Sequence, residues 1–144
     1  MYGSDRQQMR GVFFDAWIKF RNNEPLSGVE PLIVAVAQQH PEYHGVLENS
    51  QQHSQQEYFP ELGDSNPFLH MGMHITLLEQ LQMDTPKGIL DCFRQLQANG
   101  DDEHQAQHRM MVCLDAYIRR IQIKDEAAGA DDYLSCLQCL AQTS

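Results

Sequence analysis

Basic residues are scarce in this chain, which carries 10 Lys and Arg against 20 Asp and Glu for a formal charge of -10 over 144 residues. Attraction to phosphate backbones or anionic lipid needs clustered cations. The cations here are scattered, with Arg119, Arg120 and Lys124 the one local patch, so nucleic acid and membrane are not expected partners. Long apolar runs are also missing. The longest clean one, Leu32 to Ala37, falls far short of the roughly 20 residues that a membrane span needs. Met1 to Arg10 is polar, with no apolar stretch behind a basic start, and does not read as a signal peptide. A cytoplasmic protein is expected. The four cysteines, Cys92, Cys113, Cys136 and Cys139, are then expected to remain thiols. No nucleophile motif, phosphate loop or dinucleotide fingerprint is present, and no internal repeat or convincing pair of strands.

What the chain does have is helical periodicity in a length suited to one domain, 1–144. Ser4 is placed to cap a helix carrying Met9, Phe13, Trp17 and Phe20, which stops at Asn22-Asn23-Glu24-Pro25. Leu32, Ile33, Val34 and Val36 mark a buried helix from Gly28 to Gln39, and Pro41 to Leu47 a short one. Glu48 to Glu57 reads as surface linker or solvated helix, and Tyr58 to Ser65 as loop held by Pro60 and Gly63. Asn66-Pro67 opens a helix running to about Met83, and Thr85-Pro86 repeats that signal for a helix with Ile89, Phe93 and Leu96 on one face and Gly100 past its end. Asp101 or Asp102 caps a long helix to about Lys124, with Met110, Leu114, Tyr117, Ile118 and Ile121 inward. Asp131 caps the last, with Leu134, Leu137 and Leu140. The expected fold is all-α, a bundle of four main helices with shorter pieces.

Histidine is the residue that stands out. Six of the seven fall into pairs spaced His-x-x-x-His: His40 with His44, His70 with His74, His104 with His108. Residues four apart lie one above the other on a helix face, so a pair can aim two imidazoles at one point. His70 and His74 share the face of Leu77, Leu78 and Leu81, where two buried rings are costly unless their nitrogens find partners; a shared metal ion satisfies one nitrogen of each. His104 and His108 lie beside Met111 and Asp115 at the edge of an apolar stripe, with Asp115 a further ligand or a tautomer-fixing acceptor. Pro41 disfavours helical geometry at His40, which is read as a neutral contact between helices, while His44 keeps register with Glu48. Glu79 projects away from His70 and His74. Cys136-x-x-Cys139 reads as small apolar core residues rather than a metal knuckle.

The segments His40-Pro41-Glu42-Tyr43-His44, Asn66-Pro67-Phe68-Leu69-His70 through His74 to Glu79-Gln80, and Glu103-His104 with His108 and Cys113-Leu114 resemble, in that order, an uncharacterised bacterial family, domain of unknown function 1841. The resemblance spans the chain from the Phe13 to Trp17 helix to Tyr133-Leu134, and Asn-Pro-Phe-Leu-His is its most specific part. It implies a compact helical domain whose pattern includes the paired histidines, and it supplies no substrate. A looser similarity, at the level of fold alone, is to hemerythrin-like bundles, which hold two irons. His44 with Glu48, His70 with His74, and His108 with Asp115 follow their order of ligands, although the first helix has no histidine and Asp115 is further from His108 than in that pattern.

The leading expectation is a helical bundle that binds a transition metal through His70, His74, His104 and His108, with His44 as a fifth ligand. Nitrogen donors suit Zn, Ni, Cu or Fe better than Mg or Ca. An open coordination position would permit hydrolytic or redox chemistry, and a filled one would make the ion structural. The competing expectation is an acidic protein-interaction domain with structural histidines and no metal. A third is an assembly that responds to pH through its histidines.

Overall fold

The computed structural model describes residues 2–59, 65–124 and 129–143. Among these the chain is all-α, with no strand: α1 (Tyr2–Arg21), α2 (Glu30–Gln39), a 3-10 turn (Pro41–Tyr43), α3 (His44–Leu47), α4 (Ser50–His53), α5 (Pro67–Met83), α6 (Ile89–Ala98), α7 (Glu103–Gln122) and α8 (Ala130–Thr143). No described helix is long and apolar enough to cross a membrane. Contacts divide the chain into two compact units, Met1–Gly72 and Met73–Ser144, and the division falls within α5.

In the first unit α1 packs against α2. The helix begins at Tyr2, so Ser4 lies inside it and is not its cap. Of the expected inward stripe Trp17 is buried and Phe13 and Phe20 are half-buried, but Met9 is not part of it. Met9 is 71% exposed, whereas Arg10, Phe14 and Trp17 are buried at i, i+4 and i+7. The reason is Arg10. Its guanidinium donates to the carbonyls of His53 (2.9 Å) and Gln56 (2.7 Å) and lies 4.6 Å from the Phe68 ring centroid. A buried cation so paired fixes the polar segment after α4 against α1. Phe68 in turn sits edge-on to Phe13 and Phe14 at 5.8 and 5.6 Å. From α2, Ile33, Val34, Val36 and Ala37 complete this core. The expected loop at Tyr58 to Ser65 includes Pro60 and Gly63, which lie outside the described residues.

The start of α5 follows the expected chemistry, since Asn66 Oδ1 accepts from the backbone N–H of Phe68 and Leu69 at 3.0 and 3.3 Å. In the second unit Leu77 and Leu81 pack with Ile89, Cys92 and Leu96 of α6, Met110, Met111 and Leu114 of α7, and Tyr133, Leu137 and Ala141 of α8. Thr85-Pro86, joined by a cis bond, does not open α6. The helix starts at Ile89, and the side chain of Asp84 accepts from the N–H groups of Gly88 and Leu90 instead. Gly88 is the N-cap at φ 106°, a backbone state that side chains other than glycine rarely adopt. For α7 Asp102 is the cap, in a reciprocal box with Gln105. In its last turn Ile121 is 51% exposed rather than inward. Asp131 lies within α8, and Asp132 is the residue that accepts from Gly129 N–H at 3.3 Å.

The cysteines depart most from expectation. Cys113 of α7 and Cys136 of α8 form a disulfide with Cα atoms 5.8 Å apart. They are therefore not all thiols, and Cys136 and Cys139 are exposed rather than small core residues. Helix pairing brings Cys113 and Cys136 within bonding reach, a relation that the i, i+3 spacing of Cys136 and Cys139 had no means of revealing.

Candidate metal centre

In the first unit, Pro41 ends α2 as expected, leaving His40 at the C-cap with φ -128° and ψ 72°. The ring folds back over the helix it terminates. His40 is 2% exposed, and its Nδ1 lies 2.7 Å from the carbonyl oxygen of Val36. A carbonyl only accepts, so Nδ1 carries the proton and Nε2 keeps its lone pair. That Nε2 is 3.1 Å from Nε2 of His70 on α5. Two nitrogens bound about 2.0–2.1 Å from one ion sit about 2.9 Å apart at a right angle and about 3.3 Å apart at the tetrahedral angle. The observed separation suits neighbouring ligands as well as a ring-to-ring N–H···N bond. Tyr43 stacks on His40 at 5.2 Å and meets the His70 ring edge-on at 5.9 Å, which limits the motion of both. Burial pushes the Tyr43 hydroxyl pKa up, favouring its neutral form.

In the second unit, His74 is fully buried, with Nε2 2.6 Å from Oε1 of Gln107, itself 1% exposed. With the amide oxygen accepting, His74 is protonated at Nε2 and its lone pair is on Nδ1, a buried atom. His108 of α7 lies 5.2 Å from the His74 ring, and His104, one turn earlier, lies 3.9 Å from His108 and 5.9 Å from His74. The two histidines of α7 thus face His74 together, and both are half-buried.

His70 and His74 are one turn apart on α5. Within each unit the rings present nitrogens that could serve a metal ion, His40 with His70 in the first and His74 with His104 and His108 in the second. Of the expected ligands, His74, His104 and His108 face one another in the second unit, while His40 makes the expected contact between helices, with His70 in the first. His44 is placed differently: its Nε2 bonds the Ala37 carbonyl at 2.8 Å and its ring lies 4.5 Å from Trp17.

Neither carboxylate of the looser similarity turns toward these rings. Glu48 forms an ion pair with Arg21 at 3.0 Å, and Asp115 pairs with Arg119 one turn along α7 at 3.0 Å. Glu79 is exposed, as its rotation implied. Of the basic patch, Arg119 is held by Asp115 and Arg120 by Asp132 at 3.6 Å. The donors that these rings offer are imidazole nitrogens, which suit borderline transition metals.

No curated protein and no solved structure matched the chain in the comparisons. The family described as Domain of unknown function (DUF1841) matches residues 5–139, and the chain belongs to it.

Proposed function

We propose that this domain binds one transition-metal ion through His74, His104 and His108 of the second unit, with zinc, nickel, copper or iron as the candidates. The observation that carries the reading is the gathering of these three imidazole rings, with centroids 3.9, 5.2 and 5.9 Å apart. Further support comes from the hydrogen bonds on the far side of the rings. Metal-ligating histidines characteristically donate their other N–H to a carbonyl or similar oxygen, which fixes tautomer and orientation. Gln107 does this for His74. Neutral imidazoles leave the ion's full positive charge uncompensated within the site, which the chain's formal charge of -10 offsets at longer range.

The test is metal analysis and titration on untagged protein. One equivalent of zinc, nickel or ferrous ion should bind and raise the melting temperature, and a His74→Ala, His108→Ala double variant should lose both effects. A metal-free preparation whose melting temperature ignores all three ions would remove the proposal.

A second reading, an acidic interaction domain with structural histidines, draws on the same bonds to Val36 and Gln107. It treats His40 and His74 as hydrogen-bonding core residues. Here Asn or Gln replacements should cost stability equally with and without added metal.

A further inference from the structure

Outside the histidines, the second unit gathers three cysteines on the faces of α7 and α8. Cys113 is 4% exposed, while its disulfide partner Cys136 and the neighbouring Cys139 are exposed. The two sulfurs of the bond thus differ in access. Beside them opens a cavity of about 80 Å³ lined by Cys113, Tyr117, Arg120, Asp132, Tyr133 and Cys136. This gives room for the sulfur end of a small thiol. Cys136 and Cys139 are three residues apart within α8, so their side chains are neighbours on one helix face, with Cβ atoms about 5–6 Å apart. The fourth cysteine, Cys92, is buried and its thiol pKa is pushed up by that burial. It therefore takes no part as a nucleophile.

We propose that the Cys113–Cys136 disulfide is a thiol-exchange site, attacked at Cys136 by low-molecular-weight thiols and resolved by Cys139. In the first step an external thiolate bonds to Cys136 Sγ. The bond to Cys113 breaks, and Cys113 leaves with the electron pair and takes a proton from water. In the second step the Cys139 thiolate attacks Cys136 Sγ and expels the external thiolate. The interhelical link then becomes a link within α8, with no net oxidation or reduction. The chemistry is independent of the metal reading. Its effect is to untie α7 from α8 when small thiols are abundant.

The experiment incubates the oxidised full-length chain with millimolar reduced glutathione, alkylates remaining thiols in denaturant and maps every cysteine by mass spectrometry. The expected adduct is glutathione on Cys136, with Cys113 alkylated in the same molecules and a Cys136–Cys139 bond growing in with time. In Cys139→Ser the adduct should accumulate several-fold. An adduct on Cys113, or a Cys113–Cys136 bond untouched by glutathione, overturns the site. Four alkylatable thiols in the oxidised starting protein would do the same. An equal adduct level in Cys139→Ser overturns the resolving step.

Discussion

Replacing Gln107 with Leu separates a metal site from a set of structural histidines. Gln107 is 1% exposed and makes one short bond, accepting from His74 Nε2 at 2.6 Å. Leucine fills a similar volume but leaves that N–H buried without an acceptor, which costs about 1–3 kcal/mol. If His74 ligates through Nδ1, the same change also frees the ring to rotate and to change tautomer. Losing such a support typically weakens metal affinity about 10–100-fold, or about 1.4–2.7 kcal/mol. The substitution should therefore act twice. The melting temperature of the metal-free protein should fall, and the additional stabilisation produced by saturating zinc should shrink. Chelator competition measures the affinity directly, and Gln107→Glu, which keeps an acceptor at that position, should restore most of it. If Gln107→Leu lowers the melting temperature of metal-free and zinc-treated protein by the same amount, with unchanged zinc affinity, the role assigned to His74 is refuted.

Three further outcomes follow from particular contacts. Protons compete with the ion for each imidazole, so affinity measured by chelator competition should fall steadily from pH 7.5 to 5.5. Arg10→Leu removes the donor from the carbonyls of His53 and Gln56 and the cation from the Phe68 ring. It should cost about 3 kcal/mol in urea unfolding without altering metal stoichiometry. Tyr133 is buried, and that burial holds its hydroxyl pKa above the usual value, favouring the neutral form in the folded state. Since the unfolded group ionises near pH 10, this contribution is intact below that pH and is lost as pH rises above it. The decline in urea midpoint from pH 8 to 11 should be shallower in Tyr133→Phe.

Local signals carried much of the helical layout. Asn66-Pro67 is a chemical start mark whose partners lie within a few residues, and it is used as read, while of Asp101 and Asp102 it is Asp102 that caps α7, in a box with Gln105 that the helix-start signal alone does not specify. On α1 the periodicity finds Trp17 but not Arg10, because an arginine in the core is invisible to apolar patterning. Arg10 is buried because carbonyls more than 40 residues away receive its guanidinium. The start of α6 was misplaced for a similar reason, since Asp84 supplies the capping that Thr85-Pro86 suggested. For the histidines, spacing alone identified the couples on α5 and α7. It had no way to show that the His44 ring meets the Ala37 carbonyl and Trp17, because that depends on how the chain turns after Pro41. The disulfide was illegible for the reason that pairings between helices usually are: Cys113 and Cys136 are 23 residues apart, and no local pattern links them.

X-ray absorption at the zinc edge, on untagged protein loaded with one equivalent of zinc, bears most directly on the histidine site. It should report a shell of nitrogens at about 2.0–2.1 Å with the outer-shell scattering of imidazole rings, and that signature should be missing from the His74→Ala, His108→Ala variant. A shell of oxygens alone, or of sulfur, or an imidazole signal unchanged in the variant, would contradict coordination by these histidines.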